Sequence, residues 1–79
     1  MSRKLVTFAG RVGYGVISVS GVEAGDEILS IYSQNAQTDA TKFFAPFVLT
    51  DDEILQTEFT DLHSYNCVAL IERTQMLHN

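Results

Sequence analysis

The sequence predicts an all-β fold, a small sandwich or barrel of about six short antiparallel strands. Two observations carry this. β-Branched and aromatic residues recur in short runs, and turn-forming residues separate those runs at spacings of roughly 8–15 residues. Helical periodicity is weak almost throughout. With 79 residues there is room for one domain. The reading is therefore a single β domain over 1–79, with 1–4 and 74–79 as flexible or docking tails.

The first strand is expected over Leu5–Ala9, ending at Gly10. The Gly-rich segment Gly10-Arg11-Val12-Gly13-Tyr14-Gly15 suits a hairpin turn or a bulge. Val16–Ser20 forms the second strand, with Ile17 and Val19 facing a core and Ser18 and Ser20 facing out. In Val22–Asp26, Gly25 supplies a positive φ and Asp26 can accept from neighbouring backbone amides. Glu27–Tyr32 is the third strand. Strict alternation places Leu29 and Ile31 on one face and Ile28 and Tyr32 on the other, so both faces are at least partly covered, as in a central strand or one lying under a neighbouring subunit.

Ser33–Lys42 is polar and reads as an exposed loop, with one helical turn starting at Thr38 or Asp39. Pro46 sits among Phe43, Phe44 and Phe47 and favours an edge or a kink over a central strand. A charged turn at Asp51-Asp52-Glu53 leads into the run Ile54–Phe59. A second polar loop covers Thr60–Asn66, and Cys67–Arg73 is the last strand.

Ten acidic against five basic residues, a net charge of −5, is the wrong sign for nucleic-acid binding, which needs clustered Lys and Arg on phosphates. No apolar stretch approaches the roughly 20 residues of a membrane helix. The stretch after Arg3-Lys4 is too short for a signal-peptide core, so a reducing cytoplasm is expected. Cys67 is expected as a buried small hydrophobe.

The residues suggest no catalytic, cofactor or metal site. The Gly10, Gly13, Gly15 spacing matches neither phosphate-loop fingerprint. The carboxylates of Asp51, Asp52 and Glu53 are consecutive, so they point in different directions rather than converging on a cation. Asp61, His63 and Ser64 occur within four residues, whereas a catalytic triad is assembled from distant parts of a fold. Three Phe within five positions cannot all point inward along one strand. Phe43, Phe44 and Phe47, together with Met76 and Leu77 in the tail, are therefore the candidate assembly interface.

The order of pieces carries one resemblance. Gly21-Val22-Glu23-Ala24-Gly25-Asp26-Glu27-Ile28 is followed by Thr38-Asp39-Ala40-Thr41 and Phe44-Ala45-Pro46-Phe47. Asp51-Asp52-Glu53-Ile54-Leu55-Gln56 and a strand ending Ile71-Glu72-Arg73 complete it. Over most of residues 5–73 this resembles the small β-structured virion proteins of tailed bacteriophages, of the head-fibre, decoration or tail-accessory type. The resemblance implies a non-enzymatic structural protein of the virion, assembled in the host cytoplasm. Its implied partners are itself, as a homotrimer, and a larger capsid or tail protein, with no nucleic acid and no membrane. The alternative is a carbohydrate- or receptor-binding adhesin module that uses Tyr14, Tyr32 or Tyr65. A third class, an enzyme or toxin-like factor, lacks a constellation of catalytic groups.

Overall fold

Six strands and one short 3-10 turn make up the computed structural model, which describes residues 2–74. The strands are β1 (Ser2–Ala9), β2 (Gly15–Ser18), β3 (Glu27–Ser33), β4 (Thr38–Asp39), β5 (Glu53–Gln56) and β6 (Asn66–Arg73), with the 3-10 turn at Thr41–Phe43. They form two antiparallel sheets, one of four strands in the order β1-β6-β3-β4 and one ribbon of β2 and β5. The arrangement is a sandwich and not a closed barrel.

β6 is the spine. It pairs with β1 from Ser2↔Arg73 to Ala9↔Asn66, and with β3 on its other side. Its inward phase, Cys67, Ala69 and Ile71, is almost completely buried. These meet Val6 from β1, Ile28 and Ile31 from β3, and Val19, Ile54 and Val48 from the ribbon side. Phe8 packs edge-on against Phe44, with ring centroids 5.5 Å apart. Cys67 is buried as expected, and burial pushes its thiol pKa up.

Several local expectations are corrected. β1 starts at Ser2 rather than Leu5, because Arg3 Nε reaches Glu72 at 3.3 Å and Lys4 Nζ donates to the Gly21 carbonyl at 2.6 Å. The Gly-rich segment 10–15 is not a hairpin turn, since β1 and β2 belong to different sheets. It carries the chain across the sandwich, and a Cβ on Gly10 would collide with the Leu62 backbone. In β3 the register shifts between Ile28 and Ser30, so Leu29 is a bulge residue. That extra residue resets the alternation: Ile28 and Ile31 both point inward and Tyr32 points out. The helical turn starts at Thr41 instead of Thr38 or Asp39. The Asp39 carboxylate accepts from the Thr41 amide, while Thr38 and Asp39 pair with β3. Thr41 in turn hydrogen-bonds to the Ile31 backbone through Oγ1.

Pro46 lies outside regular strands, in a segment that links the two sheets. Phe44 bridges Gln56 of the ribbon, and Phe47 bridges Glu27 of the larger sheet. The Leu55 carbonyl accepts from Ala45 N–H, and the Pro46 carbonyl accepts from Ile28 N–H. Pro46 lacks an N–H but contributes its carbonyl, so the kink costs no ladder donor.

Candidate functional site

Three polar side chains are buried among the described residues: Asp26, Ser33 and Gln56. The two with the most hydrogen bonds, Asp26 and Gln56, lie at opposite ends of β6. At the Arg73 end, Asp26 is only 2% exposed and accepts two hydrogen bonds from the Arg73 guanidinium, both 2.8 Å. Its second oxygen also accepts from the Glu23 amide at 2.9 Å, closing the turn whose positive φ falls on Gly25. The Arg73 hydrogen bonds hold the Asp26 carboxyl below the usual carboxylate range against the opposing effect of burial. Glu23 adds a more exposed contact to Arg73 at 3.4 Å. The acidic turn clasps the same end: Asp52 Oδ1 accepts from Gly21 N–H and Asp51 Oδ1 from Ala24 N–H, both at 2.9 Å. Asp52 adopts φ 62° to do so.

At the Asn66 end the buried group is neutral. Gln56 is 0% exposed, and its Oε1 accepts from Arg11 N–H at 3.0 Å. Its Nε2 reaches the carbonyls of Arg11, Gly13, Glu58 and Thr60 at 3.0–3.4 Å. One amide thus joins the segment after β1 to the segment after β5. Among the described residues no buried side-chain nitrogen or oxygen lacks a partner, so the buried polar atoms at both ends are taken up within the chain.

Several of the exposed large hydrophobic residues gather along the ribbon, while others, Leu5, Val12, Tyr32 and Phe47, are exposed elsewhere. Alternation in β2 turns Ile17 inward and Val16 outward, and Tyr14, just before the strand, is exposed as well. Val16 sits directly opposite Leu55. Leu49, 68% exposed, shares a shallow hollow with both. At the other end of the strip the rings of Tyr14 and Phe59 stack with centroids 5.4 Å apart, and Phe59 is 78% exposed. The Arg11 guanidinium donates to the carbonyls of Gly13 and Tyr14, fixing the backbone that presents Tyr14.

The predicted interface residues are split by the fold. Phe44 is buried in the core, so its side chain is not available at the surface of the single chain. Phe43 is half-buried against the core, with the Lys42 ammonium 5.5 Å from its ring centroid. Phe47 is 49% exposed. It stands two residues from Leu49, with buried Val48 between them. Met76 and Leu77 lie outside the described residues. The three tyrosines take different places: Tyr14 on the ribbon strip, Tyr32 exposed on β3, and Tyr65 packed partly against the core.

Asp61 and His63 do meet, Oδ1 to Nδ1 at 2.7 Å, but both are exposed and in one turn. The His63 backbone and ring lower the Asp61 pKa. Among the described residues no three His, Cys, Asp or Glu side chains are grouped to hold a metal ion. Two further hollows exist, one lined by Ser18, Val19, Ser20 and Asp51–Glu53, the other by Thr7, Phe8, Gln34, Asn66 and Cys67. No helix among the described residues is long and apolar enough to cross a membrane. No family model matches the chain, and no curated sequence or solved structure matches it either.

Sequence reasoning missed the ribbon strip and the Gln56 hub. Both had a signal. Val16 and Leu55 are the out-of-phase apolar residues of their strands, and Gln56 is in phase with buried Ile54.

Proposed function

We propose that this chain is a non-enzymatic structural component of a bacteriophage virion that works by protein–protein adhesion. The observation that supports the adhesion is the ribbon strip of Tyr14, Val16, Leu49, Leu55 and Phe59, most of it exposed, on a chain whose buried side-chain polar atoms all have partners among the described residues. An apolar strip on a small soluble domain marks an interaction surface. Burying each half-exposed large side chain against a partner contributes about 1–2 kcal/mol. The partner on this face is a larger capsid or tail protein. The virion assignment draws its support from the resemblance in the order of turns and strands.

Mass spectrometry of purified particles from a phage encoding this sequence tests the assignment. The chain should be found in multiple copies per particle. Its absence from particles, with abundant free protein in the lysate, contradicts the virion role.

One observation favours the adhesin alternative: the Tyr14 ring is exposed and held in place by Phe59, as a sugar-stacking platform would be. None of the three hollows above is lined by a tyrosine, which weighs toward adhesion between proteins. Glycan-array binding that disappears in Tyr14→Ala would reverse that order.

A further inference from the structure

The free edge of β1 carries an inference that does not depend on what the ribbon strip grips. Gly10 N–H donates to the Tyr65 carbonyl at 3.1 Å, one step beyond the Ala9↔Asn66 pair. Antiparallel ladders alternate hydrogen-bonded and non-hydrogen-bonded pairs. Phe8, Val6 and Lys4 therefore bond to β6, and Arg3, Leu5, Thr7 and Ala9 turn their N–H and C=O groups away from it. Among the described residues nothing donates to or accepts from those outward groups. By the same alternation β2 leaves only Val16 and Ser18 open, and β4 is two residues long. The outer edge of β5 is already covered, because the Leu55 carbonyl accepts from Ala45 and Thr57 N–H donates to Phe43. Among the described residues β1 is the one long open edge. Such an edge is a template for another strand unless charge, proline or a bulge blunts it. β1 has no proline and pairs with β6 without a register shift. Its two cations are drawn aside, Arg3 to Glu72 and Lys4 to Gly21.

We propose that β1 pairs with β1 of a second copy, antiparallel across a two-fold axis at Val6. The two four-stranded sheets then become one continuous sheet. The occupant follows from the strand's self-complementarity. Centred on Val6, the register sets Arg3 against Ala9 of the second copy and Leu5 against Thr7, so all four outward-facing residues find partners. Moving the axis by half a residue sets outward groups against inward-bonded ones, and moving it by a whole residue leaves an outward residue without a partner on the second β1. No like charges meet: Arg3 and Lys4 of the two copies lie at opposite ends of the joint. β1 contains no acidic residue, whereas the whole chain carries −5, so this is the edge where two acidic copies repel least. The joined sheet ends on β4 at both sides, and a two-residue strand is too short to continue the series. The assembly closes as a two-fold pair, in place of the trimer that the resemblance implies.

Amide hydrogen exchange, read residue by residue on the full chain alongside its sedimentation mass, tests this. The dimer predicts that Leu5, Thr7 and Ala9 are as protected as Lys4, Val6 and Phe8. On dilution the first set alone should lose protection as the mass falls to that of one chain. Thr7→Pro removes an outward N–H that β6 does not use, and this variant should stay folded and be monomeric at concentrations that pair the wild type. Three results would overturn the proposal. One is a monomer up to about 1 mM. Another is a dimer whose Leu5, Thr7 and Ala9 amides stay fast. The third is protection of those amides in a monomer, which would mean that the chain's own remaining residues cover the edge. Because the wild-type exchange pattern decides the matter, a Thr7→Pro chain that fails to fold changes nothing. Failure here leaves the ribbon strip untouched, since its residues lie on another sheet.

Discussion

The two ends of β6 are sealed by different chemistry. At the Arg73 end a carboxylate and a guanidinium meet, and most of the stabilisation passes through one ionic contact between Asp26 and Arg73. At the Asn66 end a single neutral amide, Gln56, binds backbone groups from two segments. A charged plug depends on pH and leaves a buried charge when one partner is lost. A neutral hub is indifferent to pH, but its removal orphans several backbone groups together. The Asn66 end should therefore be the more brittle, and the Arg73 end the more responsive to conditions.

The largest expected effect follows from Gln56→Leu. It keeps the side-chain volume and strips the Arg11 amide and the neighbouring carbonyls of their partner. A loss of roughly 4–6 kcal/mol is expected from several unsatisfied groups, enough to unfold much of a domain of ordinary stability. Chemical denaturation measures it. A loss below about 1 kcal/mol would show that water replaces the amide and that the hub is not a hub.

Asp26→Ala comes next, at roughly 2–4 kcal/mol near neutral pH. The direction of its pH dependence follows from the lowered pKa of Asp26. A carboxyl whose folded pKa lies below its unfolded value stabilises the fold fully above the unfolded pKa, and that contribution is lost as pH falls through the folded value. The gap between wild type and Asp26→Ala should therefore be constant at neutral pH and narrow only in acid. The penalty of Gln56→Leu should not change over the same range. Thermal melts of both variants at several pH values sharpen the contrast, and parallel curves would erase it.

Asp52→Ala is a smaller change, roughly 1 kcal/mol, since it removes the Gly21 contact and leaves a residue ill-suited to φ 62°. Asp52→Gly should recover part of that, because glycine accepts the backbone conformation. Smallest of all is Phe47→Ser, within about 0.5 kcal/mol for the single chain, as its side chain is half-exposed. Phe44→Ser lies outside that order. It empties a buried aromatic site, and its cost of about 3–5 kcal/mol separates two residues that the sequence grouped together.

The strands were legible because this chain obeys local rules: period-2 runs, a Gly25-Asp26 turn, and a proline outside the ladders. What escaped were features set by contacts between residues far apart in sequence. Asp26 reads as a turn residue, yet its partner Arg73 arrives 47 positions later. The bulge at Leu29 reverses the alternation of β3, and no residue type in Ile28-Leu29-Ser30 demands it. Strand runs alone do not say which strands pair, so the split into a broad sheet and a ribbon was invisible. So was the sorting of Phe43, Phe44 and Phe47 into core and surface. The ribbon strip follows from that split, since Val16 and Leu55 meet only when β2 pairs with β5.

The proposed adhesion rests on the exposed apolar strip of the ribbon. The most direct measurement is the number of copies carried per purified particle, by quantitative mass spectrometry, for wild type and for a Leu49→Ser, Phe59→Ser double variant. Both side chains are mostly exposed, so the isolated variant should keep its melting temperature within a few degrees. The account predicts a folded variant whose particle occupancy falls at least tenfold. A folded variant with wild-type occupancy would contradict it.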